Sequence, residues 1–151
     1  MNNNNSVSRN TKRFTQGSHR TCSPQQTLAK AKGHMAAMGI TRIANVTGLD
    51  NIGIDVVTVC RPQSKAISVA QGKGHNLDAA KASGLMEAIE TYHGEYISLP
   101  VRIASFNELK SQYLVADVRQ LPSLTISKFH DELTTLWIAG EDIISNQTCY
   151  V

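Results

Sequence analysis

The sequence predicts an α/β (α+β) chain, with a mixed sheet and flanking helices. Three observations carry this. The stretch IDVVTVCR (54–61) is β-branched and nearly continuous, which reads as a largely buried strand. The stretch AAKASGLMEAIETYH (79–93) reads as the clearest helix in the chain. A third stretch, QQTLAKAKGHMAAM (25–38), is rich in helix formers and follows a Ser-Pro helix-start signal.

The elements follow in order. Residues 1–16 carry an Asn run, then Ser, Arg, Thr and Lys, without periodic apolar positions, so a disordered tail is expected, with order beginning near Gly17. Ser23 is placed to cap the first helix, with Pro24 in its first turn. Leu28, Met35 and Met38 give that helix a loose apolar stripe, and Gly39 is placed to end it. The stretch 40–48 is strand-like and stops at Gly48. The strand at 54–61, a turn at 61–64 and a short strand at 66–71 together predict a hairpin. After Gly72-Lys73-Gly74 the periodicity changes. Asp78 is the expected N-cap of the helix at 79–93, and Gly94 can close it. Further on, 99–104 reads as a strand and 105–113 as a short helix, with Ser105 at its cap and Glu108 at the capping-box position. The stretch 133–140 reads as a strand, and the last residues, QTCYV, are strand-prone without an end signal. No internal repeat is present.

Composition narrows the function classes. With 151 residues the chain has the length of one domain and is short for two good cores. It is 41% hydrophobic and 18% charged, so it is neither a fibre nor a polyelectrolyte. A net charge of +3 is too small and scattered to argue for nucleic acid, and 5% aromatics give no base-stacking platform. No apolar run approaches the roughly 20 residues that span a bilayer, and the first residues lack the apolar core of a secretory signal. Cys22, Cys60 and Cys149 are far apart and form no CxxC, which argues against a disulfide framework or a structural zinc site. A cytoplasmic chain with reduced thiols, binding neither nucleic acid nor membrane, is the expectation.

The chemistry concentrates on the helix at 79–93. At about 100° per residue, Ser83, Glu87 and Glu90 fall on one narrow face, opposite Leu85, Ile89 and Tyr92. Glu87 and Glu90 crowd like charges, and Glu90 lies where the helix dipole disfavours an anion. Two hard carboxylates suit Mg²⁺, which commonly takes one or two protein carboxylates plus substrate phosphates. The same residues also fit a solvated charged face. Ahead of this helix, QGKG (71–74) places a Gly-flanked lysine before a helix N-terminus, where an anionic group can be met. It matches neither a Walker A loop nor the dinucleotide fingerprint, and a β-turn with an exposed lysine accounts for it equally. In Gly17-Ser18-His19-Arg20, Arg20 has the geometry to clamp a phosphate, or is a surface arginine beside the tail. The five histidines make no zinc pattern, there is no GxSxG, and no catalytic side chain is assigned. Cys60 and Trp137 read as core.

Taken together, four stretches resemble the YcaO family: GSHRTCSPQQTL (17–28), GITRIANVTGLDNIGIDVVTVCRPQSKAISVAQGKG (39–74), DAAKASGLMEAIETYHGE (78–95) and LWIAGEDII (136–144). The resemblance runs from about Lys12 to the last residue, and the middle two stretches are long and specific. It implies a family-specific α/β fold that binds ATP and Mg²⁺ without a P-loop. It further implies phosphorylation of a peptide backbone amide oxygen, followed by attack of a nucleophile and loss of phosphate. A Cys, Ser or Thr side chain then gives an azoline, and external sulfide a thioamide. A peptide or protein substrate is implied, as is a TfuA-like partner, with a homodimer by family analogy. The family's SxxxExxE signature is met by Ser83, Glu87 and Glu90: the glutamates would hold Mg²⁺ and the serine would touch nucleotide. Lys73, in the Gly-Lys-Gly step, would neighbour phosphate. A basic residue and a hydroxyl seven apart near the family's N-terminus are met by Arg20 and Thr27.

Two family features are unmatched: a second acidic motif, QxxxExxE followed by Arg, and a proline-rich C-terminus. The chain is therefore expected to be the N-terminal part of a YcaO domain over 17–151, ATP-dependent in its parent architecture and inactive alone. The alternatives are a truncated, non-catalytic YcaO-like binding protein and a decayed gene fragment.

Overall fold

The structure is a computed structural model and describes residues 11–151. Residues 1–10 of the expected tail lie outside the described residues. Within 11–16, Phe14 pairs with Arg20 through two backbone hydrogen bonds of 2.9 and 3.0 Å, so pairing begins ahead of Gly17. The turn between them is closed by Gly17 at φ 68°, a value that favours glycine.

The length led to the expectation of one core, whereas the chain divides into two compact units, one ending at Ile97 and one spanning Ser98–Val151. In the first, helix α1 (Pro24–Ala31) starts as the sequence predicts. Ser23 accepts from the Gln26 N–H at 3.2 Å and Gln26 returns the bond to the Ser23 N–H at 3.0 Å. The helix is shorter than expected: Lys32–His34 tightens into a 3₁₀ turn, and the chain reverses at Gly39 with φ 67°. Strands β1 (Arg42–Asn45), β2 (Asp55–Cys60) and β3 (Val69–Gly74) form an antiparallel sheet in the order β1-β2-β3. The hairpin was anticipated, but its second strand runs later than 66–71, so Gly72, Lys73 and Gly74 are strand residues rather than a loop.

Helix α2 (Leu77–Glu95) lies across this sheet. Its cap is Asn76, whose side chain accepts from the Ala79 N–H at 2.9 Å, and not Asp78. Asp78 sits in the first turn and accepts from Gln25 Nε2 of α1 at 2.8 Å. Gly94 falls inside the helix, which ends at Glu95. The stripe Ala80, Gly84 and Ala88 meets the sheet face bearing Val57, Val59, Ala70 and Gly72. A Cβ on Gly72 would overlap the Ala80 carbonyl oxygen and the Gly84 backbone, so helix and strand touch main chain to main chain. With Leu28, Ala31, Ile40 and Leu85 these residues form the first core.

In the second unit, β4 (Val101–Ala104), α3 (Phe106–Lys110), β5 (Leu114–Val115), β6 (Thr135–Asp142) and β7 (Gln147–Tyr150) follow, with sheet order β4-β6-β7-β5. The expected capping box at Ser105 and Glu108 is present. Trp137 is buried with Phe106 and Leu109, and its Nε1–H donates to the Ala104 carbonyl at 2.9 Å. On the opposite sheet face Val101, Ile103 and Leu136 are exposed.

Candidate nucleotide and metal site

Two elements build the site. Along α2, Ser83, Glu87 and Glu90 lie on the flank beside the stripe that meets β3. On β3, burial alternates: Ala70 and Gly72 are buried against the helix, while Gln71 and Lys73 are exposed. Among the described residues β3 is an edge strand, so one row of its backbone groups has no neighbouring strand there. Glu87 uses this edge, its Oε1 accepting from the Gln71 N–H at 3.4 Å. A recess of about 490 Å³ results, lined by Val69, Gln71, Lys73, Ser83 and Glu87.

A second recess, of about 280 Å³, lies at the start of α2 and is lined by Arg20, Lys73, His75 and Asn76, with Phe14 and Gly17 of the N-terminal turn. Arg20 donates from Nε to Ser18 Oγ at 3.2 Å. Lys73 is thus common to both recesses, and among the described residues it forms no ion pair.

The six sequence-predicted residues do not all converge. Lys73, Ser83 and Glu87 share one recess, and Arg20 joins Lys73 in the other. Glu90 is exposed on the same helix but lines neither. Thr27 lines a separate, largely apolar recess of about 550 Å³ with Cys22, Met38, Met86 and Ile89. Its hydroxyl donates to the Ser23 carbonyl at 3.2 Å and lies 3.4 Å from Cys22 Sγ. That contact, with Lys30 and Arg20 adding smaller effects, holds the Cys22 thiol below its ordinary range despite partial burial.

The residues present fit a hard cation carried in with phosphates. Among the described residues no group of three or more His, Cys, Asp or Glu is placed to hold a metal by itself. Glu87 beside Lys73, with Glu90 a turn further along α2, matches the donor set Mg²⁺ accepts when phosphate oxygens complete its shell. No described helix is long and apolar enough to cross a membrane.

Sequence reasoning missed two features. The Gln71 N–H is invisible until β3 is known to be an edge. The pair Arg61 and Glu95, whose side chains are 4% and 9% exposed and 2.7 Å apart, joins residues distant in sequence.

The family described as YcaO cyclodehydratase, ATP- and Mg²⁺-binding, matches residues 71–151. An uncharacterized protein of Mycobacterium tuberculosis is 33% identical over 135 residues, covering 89% of this chain and 30% of that protein. An uncharacterized protein in the tfuA 3′ region of Rhizobium leguminosarum bv. trifolii is 31% identical over 133 residues, covering 87% of this chain and 31% of its own length. The chain therefore spans about a third of the curated relatives it matches. The structure of YcaO from Methanopyrus kandleri bound with AMPPCP and Mg²⁺ superposes with a TM-score of 0.64 at 17% identity, covering 93% of this chain and 34% of that one. A heterocyclase in complex with substrate and cofactor gives a TM-score of 0.71 at 19% identity, covering 88% of this chain and 22% of its own. At these identities the likeness is one of fold.

Proposed function

The chain belongs to the YcaO family, and on that premise we propose that it forms the N-terminal part of a Mg²⁺–ATP site serving backbone-amide activation in a peptide or protein. The observation that carries the reading is the convergence of Lys73, Ser83 and Glu87 on one recess. The AMPPCP and Mg²⁺ held by the Methanopyrus protein support the choice of ligand.

The roles follow from the side chains. Glu87 would hold Mg²⁺, with Glu90 contributing from one turn further along α2. The Gln71 N–H orients one Glu87 oxygen toward the strand edge. Lys73 meets the negative charge of phosphate in a position no described carboxylate neutralises. Ser83 offers a hydroxyl at the same wall, and Arg20 extends the basic surface through the neighbouring recess. Thr27 enters the nucleotide set by resemblance alone. When bound, Mg²⁺–ATP supplies the phosphoryl group that turns an amide oxygen into a leaving group.

An azoline or thioamide product, a TfuA-like partner, a homodimer and a cytoplasmic setting belong to the same proposal. The Rhizobium relative's tfuA neighbourhood supports the partner. The absence of a third acidic ligand among the described residues favours one second reading, a binding role without chemistry.

The test is Mg²⁺-dependent ATP turnover and binding in the protein that carries this chain. Glu87→Gln and Glu90→Gln should each abolish turnover, and Lys73→Ala should weaken nucleotide binding. Full turnover in both glutamine variants refutes the reading. ADP formation by the 151-residue chain alone excludes the binding-only role.

A further inference from the structure

One buried cation stands beside the proposed metal carboxylate without touching it. Arg61, 3% exposed, lines a recess of about 110 Å³ between the β2–β3 turn and α2, and Glu87 lines the same recess with Ala66, Ala88 and Thr91. The guanidinium is held elsewhere. Its Nη2 lies 2.7 Å from Glu95 Oε2 and donates to Ser64 Oγ at 3.0 Å. Its carbon sits 5.7 Å from the centre of the Tyr92 ring. Glu95 is fixed in turn: its Oε1 accepts from Ser64 Oγ at 2.7 Å and from the Ala66 N–H at 3.3 Å. Lys65 Nζ closes the clamp by donating to the Glu95 carbonyl at 2.9 Å.

Two physical facts give this arrangement a consequence. A buried guanidinium that loses its carboxylate seeks another, because an unpaired buried charge is costly and Arg pairs bidentately with carboxylates. The carboxylate sharing its recess is Glu87. Glu95 itself lies eight residues beyond Glu87 on α2, about 12 Å along the axis. At that distance its own charge is largely screened, so it reaches the site through Arg61.

Resting on the reading of Glu87 as a Mg²⁺ ligand, we propose that Glu95 is a positioning residue. It sequesters the Arg61 guanidinium at the end of α2 and so leaves Glu87 free to take the metal. Burial pushes the Glu95 carboxyl up, but hydrogen bonds from Ser64, Arg61 and the Lys65 backbone, with the Arg61 charge, hold it at about 2. Glu95 therefore stays an anion at neutral pH and the sequestration is permanent there.

The experiment measures Mn²⁺, as a spectroscopic stand-in for Mg²⁺, binding by electron paramagnetic resonance. It uses the protein that carries this chain, with a non-hydrolysable ATP analogue present. Glu95→Gln should weaken Mn²⁺ binding about tenfold, the scale on which groups orienting metal ligands act. Arg61→Met should leave binding unchanged or tighter. The double variant, which leaves no buried charge unpaired, should return to within about twofold of wild type. Ser64→Ala loosens the clamp without orphaning a charge, and should weaken Mn²⁺ about two- to threefold if Glu95→Gln fails to fold. A merely structural role predicts that Mn²⁺ affinity follows Tm across the four variants, and that result overturns the proposal. Unchanged binding in Glu95→Gln overturns it too. Glu87→Gln separates the two layers. If it abolishes binding while Glu95→Gln does not weaken it, only the positioning role falls. If it leaves binding intact, the metal reading of Glu87 falls and the positioning role with it.

Discussion

Replacing Gly72 by alanine tests how α2 is seated on its sheet. The added Cβ would stand 2.8 Å from Gly84 Cα and closer still to the Ala80 carbonyl oxygen and the Gly84 nitrogen. Ordinary carbon–carbon contact begins at about 3.5 Å, and the obstructing atoms are backbone, which no rotamer change can move. Helix and strand must therefore part by about 1 Å, and a gap of that size forfeits a quarter to a half of the dispersion attraction across it. The loss falls on Val57, Val59 and Ala70 against Ala80, Leu85 and Ala88, all of them buried. Overpacking of this kind costs about 1–3 kcal/mol or somewhat more, and alanine returns about 0.4–1 kcal/mol through the unfolded chain. The expected net loss is about 1–2 kcal/mol, or on the order of 5–15 °C in Tm for a unit of this size. Gly33→Ala is the matched control. Among the described residues nothing lies within 4 Å of its added Cβ, so it should be neutral or stabilising by up to about 1 kcal/mol. Urea and thermal unfolding of both variants decide the matter. A Gly72→Ala protein within 0.5 kcal/mol of wild type, where ordinary surface changes fall, would refute the close-contact argument.

Three further outcomes are expected. Because the Glu95 carboxyl drops from 4.5 to about 2 on folding, its contribution is complete above pH 4.5 and disappears as pH falls toward 2; acid titration of Glu95→Gln should lack this part of the wild-type loss. Leu85→Ala empties a site with no solvent exposure and should cost about 2–5 kcal/mol in urea unfolding. Ser105→Ala removes the cap of α3 and one of the two bonds holding the Glu108 carboxyl below its ordinary range, and should cost about 0.5–2 kcal/mol, read by Trp137 fluorescence, which reports the second unit.

Local signals were legible in the sequence and contacts across the chain were not. Ser23 with Pro24, and Ser105 with Glu108, announce helix starts because cap chemistry is complete within four residues. The β-branched run at β2 needs only its own side chains. Gly72 and Gly74 read as a loop because glycine usually marks one; they are strand residues because a helix backbone passes directly over them. Asn76 and Asp78 are both good caps, and what separates them is tertiary: Asp78 is engaged by Gln25 of α1. For the site, helical periodicity put Ser83, Glu87 and Glu90 on one face. Only the register of β3 shows Lys73 beside Ser83 and Glu87. Only the packing of α1 shows Thr27 opening onto a different recess.

The second unit presents an oily side to water. Val101, Ile103 and Leu136 stand 48%, 70% and 61% exposed on the sheet face away from Trp137. Uncovered apolar area weighs roughly 25 cal/mol per Å² against dissolution, and sulfate raises that penalty while urea lowers it. These three side chains therefore add to the tendency of the second unit to salt out. Phosphate or sulfate used to probe the recesses around Lys73 strengthens that tendency at the same time, so salting-out and ligand binding share one experimental variable.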